Sequence, residues 1–131
     1  MTTAIVCIVL LGLLVFGLGF AVSMARGRNE TLIGASSDPT DSLHKLVRAH
    51  GNAAEFAPML ALLIWVAAIQ DAGSGATACA VLGTVARYLH AAGMILPATL
   101  DAANPLRFVG ALGTYLAGLG LCLFVLLSLS G

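Results

Sequence analysis

The sequence predicts an all-α integral membrane protein, a single bundle of four transmembrane helices. Three observations carry that reading. Of 131 residues, 60% are hydrophobic and only 9% are charged, against roughly a quarter charged in a soluble domain, so too little polar side chain remains to coat a globule in water. No charged residue precedes Arg26 and none follows Arg107. The apolar residues fall into four stretches, each near the ~20 residues that a spanning helix needs. Six basic residues balance six acidic ones, which leaves no electrostatic footprint for a nucleic acid. The same counts exclude a disordered chain and an ordinary soluble enzyme.

The first span is the uncharged run Ala4–Ala25. It is too long for the apolar region of a secretory signal, and Met1-Thr2-Thr3 lacks a basic side chain, so a retained helix is expected. The second runs roughly from Leu46 to Ile69 and contains Arg48, Asn52 and Glu55. The third runs roughly from Ala76 to Leu100 and contains Arg87 and His90. The fourth is Phe108–Leu129. Four spans use most of the chain, so one domain is expected over 1–131. Cys7, Cys79 and Cys122 are far apart with no CxxC pair, and read as packing residues. The only histidines are His44, His50 and His90, and no Cys/His cluster suggests a metal.

The connections set the orientation. Gly34, the Ser36-Ser37-Asp38-Pro39 cluster and Asp41 mark a loop that runs into a helix start. Gln70 to Gly75 reads as a tight turn with no basic residue. The third connection, around Pro97 to Pro105, leads to Arg107. The first and third share a side and carry Arg26, Arg28, Lys45, Arg48 and Arg107. The positive-inside rule puts that side in the cytoplasm and both termini outside, in the inner membrane if the host is bacterial. Glycines at 12, 17, 19, 110, 113, 118 and 120 predict close helix packing, within or between subunits.

Residues three and four apart share a helix face, so His44, Arg48, Asn52 and Glu55 form one stripe, and Arg87 and His90 share a face of the third span. Counted from the Asp71–Gly75 turn at ~1.5 Å per residue, Glu55 lies roughly 22 Å away and Arg87 roughly 18 Å. Charges inside a membrane usually face a partner or a cavity. A Glu55–Arg87 ion pair is therefore expected, within a subunit or across an interface. Arg48, Asn52, Glu55, Arg87, His90 and Arg107 together suggest a polar pocket for an anionic ligand, open to the cytoplasmic side. Trp65 and Tyr88 need no role beyond packing or interface anchoring.

The segment from Val47 to Pro58, with Arg48, His50, Asn52, Glu55 and Pro58, resembles the second-helix signature of the MAPEG family, membrane-associated proteins in eicosanoid and glutathione metabolism. Arg26 and Arg28, the Arg87/His90 pair and Arg107 fit the family too, and the likeness to its small bacterial members covers essentially the whole chain. The resemblance implies a left-handed four-helix bundle assembled as a homotrimer. Glutathione, as co-substrate, would lie between adjacent subunits. Arg26, Arg28, Arg48, Asn52, Glu55, Arg87 and His90 would bind it, and Arg107 would be catalytic at its thiol. Gly51, Met94 and Ala111 stand where characterised members often carry an arginine or tyrosine.

The function that follows is a glutathione-dependent membrane transferase or peroxidase. It would activate the thiol for attack on a small lipophilic electrophile arriving from the bilayer. Two other readings stay open at this point: a non-catalytic lipid-binding or scaffold trimer, and a small proton-coupled multidrug exporter using Glu55. Exporters of that kind place the glutamate in the first helix and lack Arg48, Asn52 and Arg107.

Overall fold

The computed structural model describes residues 1–129, and residues 130 and 131 of the expected domain lie outside that range. It contains four helices, α1 (Thr2–Arg28), α2 (Ser42–Ile69), α3 (Gly73–Ile95) and α4 (Pro105–Ser128). All four are long and apolar enough to cross a membrane. The predicted fold class is the one observed.

Local chemistry sets the ends. Asp41 caps α2, its side chain accepting from the His44 backbone N–H at 2.7 Å. That cap starts the helix one turn before the apolar run at Leu46. Asn104 caps α4 in the same way, accepting from the Arg107 N–H at 3.1 Å, and Pro105 takes the first turn, where its missing N–H costs nothing. The third span ends at Ile95, not Leu100: Leu96 still has helical backbone and donates to the Ala92 carbonyl, but Pro97 has no N–H to carry the ladder further. α1 and α2 both end in a Schellman-type reversal, with Thr31 N–H donating to Arg26 and Ala72 N–H to Ala67. The left-handed position that normally holds glycine is Glu30 (φ 49°) in one and Asp71 (φ 50°) in the other.

The packing is a flattened bundle. α2 and α3 touch across the centre, α1 packs on one side of them and α4 on the other, and α1 and α4 make no contact among the described residues. The end nearest the α2–α3 turn is filled by Cys7, Leu11, Leu60, Ile64 and Leu121 with small alanines between them. Lipid tails supply no hydrophobic drive between helices, so close approach of small residues must hold the bundle. The α3–α4 seam shows this along its whole length. Gly83 opposes Ala117, Gly113 opposes Ala86, and Gly120 opposes Cys79. At the far end Gly93 lies against the backbone of Arg107, and Gly110 against that of His90. The glycines of α4 thus serve contact within the chain, whereas Gly12 and Gly17 of α1 face open space. Tyr88 does more than anchor: its hydroxyl donates to the Leu10 carbonyl at 2.8 Å, tying α3 to α1.

Candidate functional site

Beyond the apolar end the core turns polar. Arg87 is only 1% exposed, a high cost in a membrane interior unless the group is held. It donates to Asn52 Oδ1 at 2.6 Å and makes a long contact to Thr114 Oγ1 at 3.5 Å. The Phe56 ring covers its guanidinium, 5.2 Å from Cζ to the ring centroid, a cation–π arrangement. Phe56 in turn packs edge-on against Tyr115, with centroids 5.7 Å apart. Arg87 Nε has no partner. Thr114 fills its own donor by bonding back to Gly110 at 2.7 Å.

His90 lies one turn along α3 and is also buried. Its Nδ1 is 3.0 Å from the Arg107 carbonyl. A carbonyl only accepts, so Nδ1 carries the hydrogen. This contact exists because Gly93 and Gly110 let α3 and α4 meet backbone to backbone here. Asn52, Phe56, Arg87, His90, Ala111, Thr114 and Tyr115 line a cavity of about 10 Å³, enough for about one water. His90 and Ala111 also wall a larger open groove of about 680 Å³, completed by Ala103, Asn104, Pro105, Arg107 and Phe108.

The loops at this end are tied together. The Arg107 guanidinium donates to the Leu100 carbonyl at 2.8 Å and the Ala102 carbonyl at 3.3 Å. Leu100 N–H donates to the Pro39 carbonyl at 3.0 Å, and Lys45 Nζ to the Pro97 carbonyl at 2.9 Å. Asp38 organises the α1–α2 loop, accepting from the Thr40 N–H at 2.8 Å and the Thr40 hydroxyl at 2.7 Å. Those bonds hold its carboxyl below the usual carboxylate range.

Of the expected site residues, Asn52, Arg87 and His90 come together around the small cavity, and His90 and Arg107 share the groove. The expected ion pair is not formed within the chain. Arg87 turns to Asn52, and Glu55 lies exposed on the outer side of α2. Counting from the turn puts both charges at similar depth, but depth does not fix direction around the helix. Arg48 and Arg28 are exposed, Arg26 is partly buried with Nε unpartnered, and none of the three lines either cavity. Phe56, Thr114 and Tyr115 were missed. Ala111, Thr114 and Tyr115 follow Arg107 at helical spacing, so a wheel drawn on the fourth span would have found the last two.

Four apolar spanning helices around a buried guanidinium define a polytopic membrane protein with an intramembrane polar site. A family model described as MAPEG family matches residues 4–127. The chain belongs to that family, whose members are of the membrane glutathione-related transferase and peroxidase type. No curated protein matches the chain significantly.

Proposed function

We propose that this chain is a glutathione-dependent membrane transferase or peroxidase that activates the glutathione thiol for attack on a lipophilic electrophile. The observation that carries this reading is the juxtaposition at one end of the bundle. A buried, incompletely partnered Arg87 with Asn52 and His90 lies directly behind a groove of about 680 Å³ bordered by Arg107. That volume is in the range of small-molecule sites. A guanidinium near a thiol lowers its pKa and raises the thiolate population, which is the part proposed for Arg107. Bound substrates would then gain chiefly from orientation.

The remaining expected residues favour a ligand held between copies of the chain, and the homotrimer is what the family resemblance implies. Glu55 stands near the middle of α2 and is exposed, and Pro58 offers no N–H to the Ala54 carbonyl beside it. Facing lipid, an uncovered carboxylate and an uncovered carbonyl are both expensive. A second copy packed there removes the cost and brings Arg48 and Glu55 to a shared pocket, with Arg26 and Arg28 reaching it from the end of α1. The basic residues at that end favour its cytoplasmic placement, with both termini outside.

Calorimetry on detergent-purified protein tests the reading. Saturable glutathione binding, weakened in both Arg48→Ala and Glu55→Ala, is expected. No binding by the wild-type chain at millimolar glutathione would remove the proposal. A lipid-binding scaffold is the second reading, favoured by one observation: the Arg107 guanidinium already bonds to two loop carbonyls. Turnover that survives Arg107→Ala in a folded protein would rule out the catalytic part assigned to that residue. Glutathione binding with no turnover on any electrophile tried would favour the scaffold.

A further inference from the structure

The most exposed large apolar side chains of the protein are in none of its membrane-spanning helices. Leu32 is 95% exposed and Ile33 is 86% exposed, above every exposed residue on the spans, where Phe16 reaches 78%. The pair stands at the tip of the α1–α2 loop, a segment otherwise made of polar and small residues. Hydrogen bonds hold the chain on both sides of the tip. Before it, Asn29 N–H donates to Ala25 and Thr31 N–H to Arg26, both at 3.1 Å, and the Thr31 hydroxyl donates to the Asn29 carbonyl at 3.0 Å. After it, His44 Nδ1 lies 2.6 Å from the Ser36 carbonyl. Two large aliphatic side chains are thus presented outward from a fixed base.

Their position along α1 says what meets them. The apolar run Ala4–Ala25 covers roughly 33 Å as a helix, close to the ~30 Å hydrocarbon core. Arg26 and Arg28 then stand at headgroup level, and Leu32 and Ile33 follow within about one turn of chain. The exposed apolar face of α1, with Phe16, Phe20 and Met24, leads up to the same end. The basic last turn places positive charge beside the tip, complementary to lipid phosphates. We infer that Leu32 and Ile33 form an interfacial anchor. They insert at the boundary between headgroups and acyl chains of the leaflet in which α1 ends, and fix the loop on the phospholipid surface. The inference stands apart from the proposed chemistry, because neither residue lines the groove or the polar cavity.

Tryptophan fluorescence tests it on the full-length chain. Trp65 is the only tryptophan, so Trp65→Phe leaves a silent background into which Ile33→Trp, and separately Leu32→Trp, is introduced. Each protein is reconstituted in phosphatidylcholine vesicles, with or without acyl chains brominated near the glycerol. Both positions are almost fully exposed, so the substitutions leave the bundle intact, which thermal unfolding checks. A blue-shifted emission that loses most of its intensity in brominated vesicles is the expected result. Emission at the wavelength of indole in water, unchanged by bromine, overturns the inference. So does a blue shift that bromine leaves alone and that disappears when the protein is diluted into empty vesicles, because a second copy would then cover the tip.

Discussion

Alanine at Gly110 puts the packing account of the site to the test. The added carbon would lie 2.7 Å from both Cα and Cβ of His90, and nearer still to its backbone nitrogen. Carbon atoms in good contact sit ~3.5–4.0 Å apart, so roughly 1 Å must be found. The obstructing atoms are helix backbone, which no rotamer can move, and α3 and α4 must part. Overpacking of this kind costs about 1–3 kcal/mol. Glycine to alanine in a helix returns about 1 kcal/mol, so the useful comparison is with Gly118→Ala. There the new carbon meets only Leu60 Cδ2, at an ordinary 3.8 Å. The propensity gain is common to both variants and cancels. Thermal unfolding in one detergent should therefore place Gly110→Ala several degrees below Gly118→Ala, since 1 kcal/mol moves the midpoint of a small domain by about 2–8 °C. The same change lengthens the 3.0 Å bond from His90 Nδ1 to the Arg107 carbonyl, so the His90 ring resonances shift in Gly110→Ala and stay put in Gly118→Ala. Equal midpoints in the two variants would refute the claim that backbone contact at Gly110 sets the α3–α4 distance.

Glycine in place of Glu30 acts in the opposite direction. A side chain at φ 49° is strained, a carboxylate sits badly at the negative end of α1, and Glu30→Gly relieves both, for a gain of about 1 kcal/mol readable by the same thermal assay. Asn52→Ala takes the 2.6 Å acceptor from a guanidinium that is 1% exposed. A buried donor left unmade costs about 1–3 kcal/mol, more when charged, so this variant should unfold well before wild type, and an unchanged midpoint would mean that Asn52 does not hold Arg87. The Asp38 carboxyl is depressed by the Thr40 N–H and hydroxyl. A depressed carboxyl adds stability above its unfolded pKa, ~3.9, and the contribution fades as pH falls through the lower folded value. Melting curves across acidic pH should accordingly fall less steeply below about pH 4 in Asp38→Asn than in wild type.

The fold was legible because a membrane span announces itself by composition. Charge-free runs before Arg26 and after Arg107 fix α1 and α4 to within three residues at each end, since runs of that length suit a spanning helix and exceed the ~9–11 residues of a barrel strand. Asp41 and Pro97 are legible as loop markers, yet the apolar runs by themselves start the second span at Leu46 and carry the third to Leu100. The caps and breakers govern instead: α2 begins where Asp41 can accept from His44, and α3 stops ahead of Pro97. The reversals after α1 and α2 were less readable. Acidic residues hold both left-handed positions where a sequence reader looks for glycine, and only tertiary context keeps them there.

The site shows where one-dimensional reasoning ends. Counting residues from a turn gives depth, and it placed Glu55 and Arg87 at similar heights. It says nothing about which side of a helix faces inward, and there the residues three apart on α2 diverge: Asn52 meets Arg87, while Glu55 points away from the subunit. The hydrophobic pattern could not decide this, because in a membrane both faces of α2 are apolar and the polar stripe is the only asymmetry. The same stripe carries the functional argument. Arg48 and Glu55 are exposed on the chain that bears them, and the proposed assembly would cover them from outside. An inward half, Asn52 with Arg87 and His90, and an outward half, Arg48 with Glu55, are what a pocket closed between copies, as proposed, would use. Loss of glutathione binding in Glu55→Ala with no loss of thermal stability of the isolated subunit is the outcome that this division of the stripe requires.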